Sequence, residues 1–242
     1  MNEKKVSEAI NYRRSVRIYD SNKSIDKKIV KKCINQAILA PNSSNLQLWE
    51  FFHITSKNKL KEISKGCFDQ PAARTSKQML IAVVRKDLWR NRIKSNIDFI
   101  KTKHKTGSNE AKNDLKLALK YYQKTLPSVY TDFFGILGVF RYFISIIRGF
   151  IKPTFRELKS SDLRVMAHKS TALAAENFMI SMAAYGYDTC PMEGFDSKII
   201  KKVLNLPCNS EINMVIGCGI RSKKGIYGER FRIPFKEVYR EL

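Results

Sequence analysis

The chain has 242 residues, 43% of them hydrophobic and 11% aromatic, and 45 Lys and Arg against 22 Asp and Glu give a formal net charge of +23. That apolar content suffices for a packed core and excludes a disordered basic tail, which would be poor in aromatic and β-branched residues. The five cysteines form no C-x-x-C pair and are odd in number, which argues against a disulfide scaffold or a zinc ribbon and for a reducing compartment.

The opening residues are charged and then mixed polar, so they do not read as a secretory signal, and a cytoplasmic location is expected. Val6, Ala9 and Ile10 open an amphipathic helix that ends near Arg13. Ile25 and Asp26 start a second, in which Ile29, Val30, Cys33, Ile34, Ala37 and Ile38 recur at helical spacing until Pro41 stops it. Residues 41–45 are a polar turn. Residues 49–55 and 79–84 read as buried strands, with a short helix over 57–65 between them. Residues 90 to about 126 are helical in pattern and strongly charged, with a break at 105–108.

Residues 133–151 have the length of a membrane span. Arg141 and Arg148 oppose that reading, each costing roughly 2.5–3.5 kcal/mol at the bilayer centre. The segment reads as a buried or interface-covering helix, with a peripheral membrane contact as the secondary reading. Residues 162–185 form a long helix whose Ala167, Ala172, Ala174, Ala175 and Ala183 allow close helix approach, and Gly186 suits its C-cap. A helix over 196–204 and a third buried strand over 212–218 follow. There is no repeat and no low-complexity linker, so residues 1–242 read as one domain with a helical elaboration at about 90–160.

The charge is unevenly spread: residues 1–65 carry net +8, residues 66–166 net +12 and residues 167–242 net +3. Much of it is Lys along polar helix faces, which reads as solvated surface. Nucleic-acid recognition would want a compact basic stripe interleaved with exposed aromatics, or a known module, and neither is present.

Three polar segments could carry chemistry. Arg13, Arg14, Ser15 and Arg17 offer guanidinium forks and a hydroxyl suited to a phosphate, although a basic helix end would look the same. Pro41, Asn42, Ser43, Asn45 and Gln47 offer donors and acceptors suited to a polyol or a heterocycle edge. Pro191, Met192, Glu193 and Gly194 form a loop in which Gly permits close backbone approach to a flat ligand. Each alone has an ordinary structural reading as a capped turn or loop.

Taken in order, they resemble the nitroreductase-like family of FMN-dependent oxidoreductases. Its R-x-S-x-[RK] stands here as Arg13, Ser15 and Arg17, and its A-P-S-x-x-N-x-Q-P-W as the residues from Ala40 to Trp49. Its P-x-E-G-F-D stands as Pro191 to Asp196, and its late basic pair as Arg230 and Arg232 before Pro234. Two departures are Asn42 for the commoner Ser and Leu48 for Pro.

The resemblance implies an α+β fold with a central, mostly antiparallel mixed sheet surrounded by helices. It also implies an intertwined homodimer with a swapped C-terminal arm, here at about 226–242. Arg13, Arg14 and Ser15, with Arg230 and Arg232, would hold the FMN phosphate. Arg17 would sit near flavin N1 and O2, where a cation favours the anionic reduced ring. Pro41, Asn42, Ser43, Asn45 and Gln47 would line the site from the other subunit. Pro191 to Gly194 would pass along the ring, with a backbone N–H of Glu193 or Gly194 at N5, and Gln70 would supply a pyrimidine-edge contact. Residues 90–160 would cover the flavin and shape the pocket.

The implied activity is transfer of hydride from NADH or NADPH through flavin N5 to a nitroaromatic, quinone or related acceptor, with ping-pong kinetics. No side chain is needed as an obligate acid or base: His53, His104 and His168 read as strand interior, charged helix surface and helix face. No metal site is expected. The rival readings are a basic protein that binds nucleic acid or another anionic surface, and a flavin-binding protein of this fold without turnover.

Overall fold

The computed structural model describes residues 3–103, 109–133 and 135–242. The expected break at 105–108 and His104 lie outside the described residues. Along the chain run α1 (Val6–Tyr12), α2 (Lys27–Ala37), β1 (Trp49–Ile54), α3 (Lys57–Gly66), α4 (Pro71–Arg74) and β2 (Gln78–Val84). Then follow α5 (Trp89–Lys103), α6 (Asn109–Lys120), α7 (Leu126–Tyr130), α8 (Ile136–Gly149) and α9 (Ser160–Ala184). The chain ends with β3 (Asp188–Met192), α10 (Ser197–Val203), β4 (Glu211–Gly219) and α11 (Phe235–Val238).

The sheet order is β1-β2-β4-β3, and every strand pair is antiparallel. A single parallel bridge, Ser15 to Thr189, adds the mixed character. Side chains alternate across the sheet with period two. Leu80 and Ala82 of β2 therefore join Phe178, Met182, Val30 and Cys33 from α9 and α2 on one face. Met79, Ile81 and Val83 join Ile63, Ile200 and Leu204 from α3 and α10 on the other. Burial on both faces is why β2 reads as an unbroken apolar run.

The helices start where local hydrogen bonding allows. Asp26 caps α2 by accepting from Lys28 N at 2.8 Å, and Asp196 caps α10 by accepting from Lys198 N at 2.8 Å. The long α9 buries residues from Leu163 to Ala184, and its alanines let it lie close to α1, α2 and the sheet.

A strand was not legible at 188–192, where the sequence reads as a short apolar segment and a loop. Pro191 donates no ladder hydrogen bond, yet β3 is an edge strand, the one place in a sheet that tolerates it. Met192 thus points into the core rather than lining a loop. One π-helical turn, Tyr121–Thr125, joins α6 to α7, where the pattern reads as regular helix.

Of the readings of 133–151 as a buried or interface-covering helix, the buried one is corrected. Apolar residues of α8 face outward, and its packed side carries Gly138, Tyr142 and Ser145. Among the described residues no helix is long and apolar enough to cross a membrane.

His53 ties the sheet to α2. Its Nε2 lies 2.6 Å from Gln78 Oε1, and Gln78 Nε2 donates to Ile25 O at 2.8 Å. Burial lowers the His53 pKa from its ordinary 6.5, with the Gln78 contact opposing part of the shift. The unfolded chain therefore takes up a proton first. The contribution of His53 to stability is full above about pH 6.5 and is lost as pH falls through the lower folded value. In urea titrations, His53→Gln should flatten the loss of stability between neutral and mildly acidic pH. An unchanged slope would refute this assignment.

Candidate functional site

The two ends of the chain meet along β3. Val16 N donates to Thr189 O at 3.1 Å, and Arg17 N donates to Gly225 O. Ser222 N donates to Ile18 O at 3.1 Å, so residues 15–20 form a strap between β3 and the chain leaving β4. Tyr19 fixes the strap: its hydroxyl donates to Gly217 O at 2.8 Å and its ring lies over Gly219. A β-carbon at Gly219 would stand 2.6 Å from that ring, which is why the position needs glycine.

Asp188 and Arg221 clamp this junction. The Asp188 side chain is 1% exposed. It accepts from Arg221 N at 2.7 Å and Nε at 2.8 Å, and from Nη2. Arg221 also donates to Tyr12 O at 3.2 Å and stacks 4.3 Å from the Tyr12 ring centroid, which anchors α1. Burial opposes the Arg221 charge, but the hydrogen bond and attraction to Asp188 outweigh it and raise the guanidinium pKa. From the sequence Asp188 needs no catalytic role, and its structural one was not legible. Its signal, a lone acid beside an apolar run, gave no indication of a partner 33 residues away.

The strap opens a cleft of about 360 Å³ whose lining includes Arg13, Arg14, Ser15, Arg17, Arg230 and Arg232. All six residues proposed from the sequence for this part of the site converge there. Among the described residues Glu229 is the one carboxylate in the lining. Arg14 Nη2 donates to Gly228 O at 2.9 Å, and Arg230 Nη2 donates to Asn11 O at 2.9 Å and to Arg13 O at 2.5 Å. Lost hydration, then repulsion from Arg14, Arg232 and Arg13, lower the Arg230 pKa. The cleft is a concentrated positive field suited to a dianion such as a phosphate monoester.

Arg17 makes no side-chain hydrogen bond or ion pair among the described residues. Its charge, with that of Arg13, pulls down the Cys190 thiol pKa against a larger rise caused by burial. Arg17 is thus close to β3, the strand that leads into Glu193 and Gly194. Gln70 reaches the same place: its Nε2 donates to Gly194 O at 3.1 Å and to Cys67 O at 3.2 Å. A β-carbon at Gly194 would meet no atom within 4 Å, so the backbone there is open to a flat ligand.

The polar turn at 41–47 lies apart. Ser44, Asn45 and Gln47 adopt φ of 54°, 51° and 47°, a left-handed conformation that costs L-residues energy. Asn42 Oδ1 holds the turn by accepting from Gln47 N at 2.8 Å. Asn45 Nδ2 donates to Asn96 Oδ1 at 2.9 Å, and Tyr122 OH donates to Ser44 O at 3.0 Å. Ser43 N donates to Ser170 Oγ at 3.3 Å. Asn96 and Tyr122, from the helical elaboration at about 90–160, were not foreseen. Asn45 and Gln47 line a second cleft with Ser95, Asn96 and Phe99, which shares no lining residue with the arginine cleft.

A family model described as the nitroreductase family matches residues 10–220. The chain belongs to the nitroreductase family. DrgA of Synechocystis sp. PCC 6803 is 25% identical over 217 residues, covering 89% of this chain and 84% of that protein. YfkO of Bacillus subtilis, provisionally named an NAD(P)H nitroreductase, is 26% identical over 203 residues, covering 82% and 78%. The fold has solved counterparts. The Bacillus subtilis protein ydfN superposes with a TM-score of 0.72 at 20% identity, covering 98% of both chains. A nitroreductase-fold protein from Exiguobacterium sibiricum, solved in complex with FMN, superposes with a TM-score of 0.68 at 20% identity over 100% and 99% of the two chains. Among the described residues of this nitroreductase-family chain, no group of His, Cys, Asp and Glu is placed to hold a metal ion.

The clamp yields a prediction. Asp188→Asn leaves Arg221 without its countercharge and should destabilise the fold by about 3 kcal/mol, the low end for such pairs because Arg221 keeps some solvent. Hydrogen exchange should quicken in residues 15–20 and 220–232. A loss below about 0.5 kcal/mol, the scale of a surface substitution, would show that the pair does not hold the strap.

Proposed function

We propose that this protein is an FMN-dependent NAD(P)H oxidoreductase. The observation that carries the reading is the convergence of Arg13, Arg14, Arg17, Arg230 and Arg232, from both ends of a nitroreductase-family chain, on one cleft beside β3. The FMN-bound fold neighbour supports the choice of cofactor.

In this reading Arg13, Arg14, Ser15, Arg230 and Arg232 hold the phosphate. Arg17 places positive charge at the pyrimidine side of the ring, where it favours an anionic reduced flavin. Gln70 holds the Gly194 carbonyl and so sets the path of the Glu193–Gly194 backbone past the ring. When bound, FMN supplies a carrier that accepts hydride at N5 from NADH or NADPH and passes it to an acceptor such as a nitroaromatic or a quinone. The chain contributes binding, orientation and charge, and no side chain needs to act as an obligate acid or base. Donor and acceptor use one site in turn, which gives ping-pong kinetics.

Two observations support a homodimer as the working form. The arginine cleft and the 41–47 turn lie in separate clefts of one chain, so a partner's turn would complete the site. Every residue from Phe231 to Leu242 is exposed, including Phe231, Phe235 and Val238, an apolar arm that wants a covering surface.

The purified protein should be yellow, or become so with added FMN, and anaerobic NADH or NADPH should bleach it. The donor that bleaches it faster is the physiological one. A protein that neither binds FMN nor supports NAD(P)H oxidation would overturn the proposal, and tight FMN binding without bleaching by either donor would identify a flavin carrier. The phosphate assignment is tested separately. Arg14→Gln should weaken FMN binding about tenfold or more, the scale of a charge-assisted hydrogen bond, while riboflavin binding stays within about twofold. Equal loss for both ligands would place Arg14 outside the phosphate site.

A further inference from the structure

Helix α8 is amphipathic in the inverse sense. At about 100° per residue, Ile136, Val139, Phe140, Phe143 and Ile147 fall within roughly 100° of arc. All five are exposed, with Ile136, Phe140, Phe143 and Ile147 at 59–66%. Phe150 and Ile151, in the turn that follows, extend the same outward surface. Gly138, Tyr142, Ser145 and Gly149 occupy the opposite side, which packs on the protein. Gly138 sits against the backbone of 158–160, Gly149 sits against Arg156, and the Tyr142 ring lies 3.9 Å below Lys159 Nζ. Arg141 pins the helix by donating to Ser128 O at 2.8 Å and Thr131 O at 2.7 Å. The apolar face is therefore held outward by specific packing beneath it.

The charges around this face choose its occupant. Residues 133–156 contain no Asp or Glu, while Arg141, Arg148, Lys152 and Arg156 lie among them. Arg148 lies about 80° round the helix from Phe140, Lys152 follows just past the helix end, and both are exposed. Among the described residues neither has a carboxylate within ion-pair distance. In a symmetric contact a second copy would bring the same acid-free 133–156 segment, and so like charges, to this face. Its C-terminal arm, residues 226–242, holds four basic and three acidic side chains and so offers no net negative charge. A surface that is apolar beneath and anionic above fits both parts of the patch, and that combination describes the interface of an anionic bilayer.

We propose that α8 is a peripheral membrane anchor. It lies in the plane of an anionic lipid surface, with Phe140, Phe143 and Ile147 at the acyl boundary and Arg148 and Lys152 at the headgroup phosphates. The helix does not cross the bilayer, and binding is reversible and salt-sensitive. The anchor is independent of the flavin.

The test is co-sedimentation of the full-length protein with vesicles of phosphatidylglycerol and phosphatidylcholine in equal parts, and with vesicles of phosphatidylcholine alone. Binding should be at least tenfold tighter to the mixed vesicles and should weaken as salt is raised. The double substitution Phe140→Ser and Phe143→Ser should lower it at least tenfold. Because both side chains face outward, the variant should melt with the wild type. Arg148→Gln should lower binding about fivefold, the loss of one headgroup contact. Absence of binding to the mixed vesicles at low salt would overturn the proposal. So would a double variant that binds as well as wild type, since diffuse charge alone would then suffice. A double variant that changes the oligomeric state in light scattering would also overturn it, because a second copy would then cover the face.

Discussion

Asp188 is buried at the first residue of an edge strand, and Arg221 supplies it with three hydrogen bonds. A carboxylate removed from water is costly unless it is paired and hydrogen-bonded. That requirement fixes where the chain goes after β4: it must turn back over β3 and bring Arg221 to Tyr12 as well. From there residues 15–20 have a slot to occupy between two backbone neighbours, and the arginines at 13, 14 and 17 come to face those at 230 and 232. The cleft is thus a consequence of a buried ion pair outside its own lining.

Gathering guanidiniums has an electrostatic cost: lost hydration and then repulsion from Arg14, Arg232 and Arg13 lower the Arg230 pKa. Rigid neighbours bear that cost. The strap is hydrogen-bonded on both sides, Tyr19 is locked over Gly217 and Gly219, and the sheet below is buried on both faces. A bound dianion would relieve the repulsion, so the same strain that weakens the unliganded cleft favours its ligand. The 41–47 turn follows a similar logic: three residues with positive φ are held by Asn42 within the turn and by Asn96, Tyr122 and Ser170 from three other parts of the chain.

Much of the fold was legible because the strands at 49–54, 78–84 and 211–219 are apolar runs and the longer helices carry clear periodicity. Four motifs in a particular order pointed to a candidate site, and the structure brings the first and the last of them to one cleft. The ion pair was not, because one acid and one arginine separated by 33 residues carry no local pattern. β3 was not, because Pro191 reads as a strand breaker until the strand is known to lie at the sheet edge. Asn96 and Tyr122 were not, because they are ordinary residues of a charged helical stretch until the turn at 44–45 arrives beside them.

The 133–151 segment is apolar apart from Arg141 and Arg148, which marked it as a helix without saying which side would face outward. Which face packs inward depends on what the neighbouring chain presents, and here small and aromatic contacts at 138, 142, 145 and 149 won that side. The sequence by itself determined the elements, the motifs and their order, since these rest on local propensity and spacing. Only the tertiary structure decided which arginines meet, which strand is the edge and which way the apolar helix faces. Each of those depends on contacts between residues far apart in the chain, and a linear pattern does not encode them.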